Sequence, residues 1–170
     1  MKFLEEYEGK VILKHIPGQV KFLVCVDASD ECKTALRFAC MRAKNSDGLV
    51  IILYVIEPND LQHFAGVEQV MEREAKEEAD RVLSTLKEDT LKEFSIEIET
   101  VISYGIKYNK IVDLINVDKT ISILVLGAAP EGKGTNDLIN RFSTSLTKSI
   151  HIPLTIVPGN LNKQELEKIT

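Results

Sequence analysis

From residue 21 to residue 157 the chain alternates short apolar runs with stretches whose apolar positions recur every three or four residues. A run that is apolar at successive positions buries both of its faces, as the strands of a parallel sheet covered by helices must. The pattern predicts five strands, at Lys21–Val26, Leu49–Ile56, 94–103, 121–126 and 154–157, with four helices between them. The first, second and fourth strands are apolar almost throughout. In the third, Phe94, Ile96, Ile98 and Ile102 alternate with Ser95, Glu97 and Glu99, so one face is expected to meet water, as at a sheet edge.

The first helix opens at Ser29, whose hydroxyl suits a cap, and Asp30 and Glu31 favour the positive helix end. Its apolar face is Cys32, Leu36, Ala39, Cys40 and Ala43. The second, over 67–90, repeats Val67, Met71, Ala75, Ala79, Val82 and Leu86, and its remaining positions carry acids and bases at ion-pair spacing, a solvated face. The third covers Lys107–Val117, and the last presents Leu138, Phe142, Leu146 and Ile150. Under right-handed crossovers these elements assemble as an α/β fold, a doubly wound five-stranded parallel sheet of order 3-2-1-4-5 with helices on both faces. Residues 1–20 form an N-terminal extension, 21–158 the domain, and 159–170 a tail in which Leu161, Leu166 and Ile169 suit a short helix.

In that order the sheet reverses between the first and fourth strands, and ligands of such sheets bind beyond the carboxyl ends of the strands at the reversal. The expected site is therefore the pair of loops that start at Asp27 and Gly127. The Asp27 carboxylate suits an adenine amine or a ribose hydroxyl, and it equally suits shaping the turn into the helix with Ser29. The loop 127–135 holds Gly127, Gly132, Lys133 and Gly134, and such a loop turns backbone N–H groups toward a phosphate at the start of a helix. It nearly matches G-x-x-x-x-G-K-[ST], but Gly134 stands where a magnesium-binding hydroxyl is needed and Thr135 follows one residue late. An NTPase of that kind also needs an acidic metal ligand at a strand end, whereas the runs end in Leu126, Ile56 and Val157. A surface loop with glycines for turning is the competing reading.

Composition narrows the classes further. The chain has 170 residues, enough for one domain, with 44% apolar and 28% charged residues, as in an ordinary globular protein. No apolar run reaches the ~18 residues of a membrane span, and the acidic opening MKFLEEYEGK is unlike a secretory signal, so the expected address is the cytoplasm without membrane contact. The net charge of −5 and the lack of a basic patch argue against nucleic acid. Cys25, Cys32 and Cys40 have no paired metal spacing and are read as buried reduced thiols. His15, His63 and His151 fall in separate segments, which leaves no metal site, no nucleophile with its base, and hydrolysis slow or absent.

At Val24-Cys25-Val26-Asp27-Ala28-Ser29, Val55-Ile56-Glu57-Pro58, Leu126-Gly127 and Ile152-Pro153-Leu154-Thr155-Ile156-Val157 the chain resembles the universal stress proteins, over about residues 21–158. The resemblance implies the 3-2-1-4-5 sheet of the adenine nucleotide alpha hydrolase-like fold, a homodimer through the last strand, and, in one branch, ATP or AMP as ligand. That branch carries G-x2-G-x9-G-[ST], which falls here on Gly127, Pro130, Asn140 and Arg141, so that only the first position matches. Pro130 has no N–H, Asn140 adds a side chain where phosphate should approach, and Arg141 replaces a small hydroxyl. Asp27 matches the acid on the adenine side, and Val55 falls at the backbone contact to adenine. Lys133 and Arg141 together offer a different phosphate clamp. The implied function is a non-enzymatic stress-response protein with an altered or lost nucleotide site; the alternatives are a slow nucleotide hydrolase using loop 127–135 and a pure protein-interaction module.

Overall fold

Lys21–Val26 is the central strand of the sheet, and all six of its residues are buried. The computed structural model describes residues 6–7, 10–11, 16–57 and 68–170. In chain order these form a hairpin of β1 (Glu6–Tyr7) and β2 (Lys10–Val11), then β3 (Lys21–Val26), α1 (Asp30–Ser46), β4 (Leu49–Ile56), α2 (Glu68–Phe94), β5 (Ile98–Tyr104), α3 (Lys107–Val117), β6 (Ile123–Ala128), α4 (Asp137–Ser149), β7 (Leu154–Pro158) and α5 (Lys163–Ile169). His15, Pro58, His63 and Val67 lie outside the described residues.

Strands β3 to β7 form one parallel sheet in the order β5-β4-β3-β6-β7, the expected 3-2-1-4-5. The alternation of side chains along each strand divides the core in two. Phe22, Val24 and Val26 of β3 with Val50, Ile52 and Ile56 of β4 pack toward α1 and α2. Leu23 and Cys25 with Ile51, Leu53 and Val55 pack toward α3 and α4, where Phe142 is fully buried. The tail is tied to the first of these cores. Asn162 and Glu165 form a reciprocal capping box at the start of α5, Leu166 is fully buried, and the Thr170 hydroxyl reaches Met41 Sδ at 3.7 Å.

Three local expectations are corrected. The third strand begins at Ile98 rather than at residue 94, because α2 continues to Phe94 and turns out through Ser95, whose φ is +57°. Glu99 does not face water. The Lys21 ammonium, fully buried at the start of β3, donates to Glu99 Oε2 at 3.0 Å and to Asp118 Oδ2 at 2.7 Å, so the charged face of β5 is covered from across the sheet. Burial alone would raise the Asp118 carboxyl, but Lys21 and Thr120 outweigh it and hold it below the usual range. Ser29 occupies the cap position of α1 in extended conformation, yet its hydroxyl makes no cap bond. Its amide instead donates to Asp27 Oδ1 at 2.8 Å, an Asx turn that carries the chain from β3 into α1.

Candidate switch-point cleft

Lys21 and Asp27 lie at opposite ends of β3, and the carboxyl end opens into a cleft of about 440 Å³, a size that suits a small molecule. Its floor is Cys25, Leu126 and Gly127; α1 contributes Glu31 and Cys32, the start of α3 contributes Lys107 and Tyr108, and α4 contributes Asp137, Leu138 and Arg141. The first turn of α1 is pressed onto the ends of β6 and β7. A Cβ on Gly127 would lie 2.2 Å from the Glu31 carbonyl oxygen, and one on Gly159 would lie 2.5 Å from Glu31 Cβ, so both positions require glycine for the helix to sit where it does. This approach sets the Glu31 side chain in the wall of the cleft.

Helix α3 has no acid in its first turn, and Ile106 at its cap offers no acceptor. Glu57, just beyond β4, supplies one from across the sheet: Lys107 N–H donates to Glu57 Oε1 at 3.0 Å. The Lys107 ammonium reaches Asp27 Oδ2 at 3.3 Å. Burial alone would raise the Asp27 carboxyl, but Ser29 and Lys107 outweigh it and hold it below its ordinary value. Burial would likewise lower the Lys107 ammonium, and the Asp27 and Glu57 carboxylates beside it overcome that and raise it. At pH 7 the pair is therefore charged on both sides.

The Arg141 guanidinium lies 3.9 Å from the centre of the Tyr108 ring, which packs against Phe142 with ring centres 4.6 Å apart and exchanges a hydrogen bond of 2.8 Å with Ser145. The two cleft thiols are poor nucleophiles. Burial pushes Cys25 far up, and burial followed by the Asp27 charge pushes Cys32 up to about 11.

A model of the universal stress protein family matches residues 20–158, most of the chain. The chain belongs to the universal stress protein family. None of the curated proteins matches the sequence. Among solved structures, the universal stress protein UspA from Lactobacillus plantarum superposes with a TM-score of 0.65 at 20% identity, over 81% of this chain and 97% of that one. A universal stress protein family member from Arabidopsis thaliana with AMP bound gives 0.57 at 19%, over 86% and 94%. A universal stress protein in complex with cAMP gives 0.52 at 19%, over 83% and 98%. At these identities the likeness establishes the shared fold.

In this universal stress protein the eight candidate binding residues separate into two groups. Asp27, Gly127 and Arg141 meet in the cleft wall. Val55 is buried in the core between the sheet and α3 and α4, while Gly132, Lys133, Gly134 and Asn140 are exposed and stand outside the cleft wall. The loop after β6 is closed on itself. Ala129 N–H donates to Asn136 Oδ1 at 2.9 Å, Asn136 Nδ2 donates back to the Ala129 carbonyl at 3.3 Å, and Lys133 N–H turns to the Pro130 carbonyl at 3.0 Å. Asp137 then sits in the first turn of α4, at the helix end where an anion would otherwise be drawn.

Sequence reasoning did not find Lys107, Glu57, Glu31 or Tyr108. The signal available was positional, since Lys107 opens the helix after the third strand and Glu57 follows the second, and both ends belong to the carboxyl edge of a parallel sheet. No helix among the described residues is long and apolar enough to cross a membrane, and the described residues contain no group of three or more His, Cys, Asp or Glu placed to hold a metal ion.

Proposed function

We propose that this universal stress protein is a non-enzymatic stress-response protein whose switch-point cleft is an adenine-nucleotide site altered so that it no longer clamps a triphosphate. The observation that carries this is the charge of the cleft. Four carboxyl side chains, Asp27, Glu31, Glu57 and Asp137, face two cations, Lys107 and Arg141. Lys107 is engaged by Asp27 and Arg141 is stacked on Tyr108. A nucleoside triphosphate carries several negative charges at neutral pH, and placing them beside an acidic surplus in a partly desolvated cleft is unfavourable. The amide of Ala129, which a phosphate-binding loop would turn outward, is taken by Asn136. Related folds holding AMP and cAMP support an origin of this cleft in a nucleotide site.

Denaturing the freshly purified protein, resolving any released nucleotide by chromatography, and titrating with ATP and AMP by calorimetry with and without magnesium tests the reading. The expected result is no stoichiometric nucleotide, no micromolar ATP binding and no turnover. Co-purified ATP, or magnesium-dependent hydrolysis lost on Lys133→Ala, would overturn it in favour of the hydrolase using loop 127–135. Two copies are further proposed to pair through β7, an edge strand on which Ile156 is 43% exposed. Light scattering should give twice the monomer mass at micromolar concentration; a monomer overturns the pairing.

A further inference from the structure

We infer that Lys107 is a specificity-determining latch on the switch-point cleft, an internal cation that occupies the Asp27 carboxylate and so competes with any ligand donating a hydrogen bond there. The inference rests on the altered-site reading above and says which residue sets the affinity that remains. Asp27 has two carboxylate oxygens. Oδ1 accepts from Ser29 N–H at 2.8 Å and is used in turning β3 into α1. Oδ2 is the oxygen left for a ligand, and Lys107 Nζ stands 3.3 Å from it. Each carboxylate oxygen can still accept a second hydrogen bond, but an amine or hydroxyl approaching Oδ2 must enter beside the Lys107 ammonium, which already draws on that oxygen's charge.

The latch is held at two points. The Lys107 backbone N–H is fixed on Glu57 Oε1 at 3.0 Å, which pins the start of α3 at the cleft mouth and aims the side chain back toward β3. The side chain itself is only 24% exposed and that of Asp27 is 43% exposed, so the ammonium lies in the mouth rather than out in solvent. Gly105, with φ of +134°, makes the turn from β5 that brings Lys107 into this position, a backbone conformation that residues with a Cβ rarely adopt. The pair is not so buried that opening it is prohibitive. Exposed and half-exposed ion pairs are worth up to about a factor of five in an equilibrium constant, and that factor is what a ligand must overcome to reach Oδ2.

Adenosine is the suitable probe. It carries an exocyclic amine and ribose hydroxyls as donors but no charge, so the repulsion that the acidic cleft exerts on phosphates does not enter. Adenosine affinity would be measured by NMR titration of the unaltered protein, Lys107→Met, Lys107→Gln and Lys107→Arg, each first shown folded by circular dichroism. Lys107→Met and Lys107→Gln are expected to bind about three- to fivefold tighter than the unaltered protein, while Lys107→Arg, which keeps the cation, stays within twofold of it. If Lys107→Met fails to fold, Lys107→Gln, which is uncharged and one atom shorter than lysine, decides alone. Unchanged or weaker binding in the neutral variants overturns the latch, since it makes Lys107 a bystander or a ligand-binding cation; no binding by any form overturns it too. Failure of the altered-site reading is distinguishable, because it would show as tight ATP binding by the unaltered protein whatever adenosine does.

Discussion

Replacing Lys21 by Met removes the single cation from a buried set of two carboxyls. The Lys21 side chain is fully buried, and those of Glu99 and Asp118 are 6% and 2% exposed. Met replaces the apolar stem of lysine and lacks only the ammonium, so most of the space between the sheet and α3 stays filled and the change is chiefly electrostatic. Breaking a buried pair by removing one partner costs about 3–5 kcal/mol, because the remaining charge keeps its desolvation penalty without its counterion. Against a total stability of about 5–15 kcal/mol that is a large fraction, and for a chain of this length it lowers Tm by about 6–20 °C.

The loss depends on pH with a definite sign. In the unaltered protein the folded Asp118 carboxyl is held below its ordinary value, so its contribution is present above the unfolded pKa and is lost as pH falls through the lower folded one. In Lys21→Met the two buried carboxyls face each other without a cation, their folded pKa values rise, and protonation relieves them. The difference between the two proteins is therefore largest near pH 7 and shrinks toward pH 4. Urea unfolding followed by far-ultraviolet circular dichroism at pH 7 and pH 4.5 measures it, with an unchanged m-value expected. Adding Glu99→Gln and Asp118→Asn to Lys21→Met should recover much of the loss at pH 7, since a set neutralised together leaves no orphan charge. A difference below about 1 kcal/mol at pH 7, or one that does not change with pH, would refute the reasoning.

Gly127→Ala should destabilise by about 3 kcal/mol, because the new methyl meets the Glu31 carbonyl of α1 at 2.2 Å and backbone must move; equilibrium urea unfolding within 1 kcal/mol of the unaltered protein would contradict that close approach. Cys32, raised from 9.0 to about 11, should react with a disulfide reagent at pH 8 about 10-fold more slowly than a free thiol of ordinary pKa, its smaller thiolate fraction being partly offset by the greater nucleophilicity of a higher-pKa thiolate, and a stopped-flow rate near that of the free thiol would show it is not buried as described. Asn162→Ala removes the acceptor for Glu165 N–H in the capping box and should cost about 1 kcal/mol in the same unfolding assay, with no effect expected on adenosine affinity.

The sheet order, the central place of β3 and the two-sided core follow from the sequence alone, because the direction of a side chain along a strand or helix is a local property and apolar periodicity reports it directly. The switch point is legible for the same reason: once Lys21–Val26 and the run at 121–126 read as neighbouring buried strands, Asp27 and Gly127 must lie at its edge. Glu99 was not legible. An acid alternating with apolar residues has one local pattern whether it meets water or an ammonium 78 residues away in the chain, and only the order that sets β4 between β3 and β5, with the Lys21 side chain reaching to Glu99, decides between them. The same holds for the cleft. Lys107 reads as an ordinary first residue of a helix until the fold brings its ammonium to Asp27, 80 residues earlier, and Asn136 reads as a loop residue until its amide closes on Ala129. Pattern fixes which face of an element is buried, whereas the partner of a polar group depends on long-range approach between segments, and that is decided only when the tertiary structure forms.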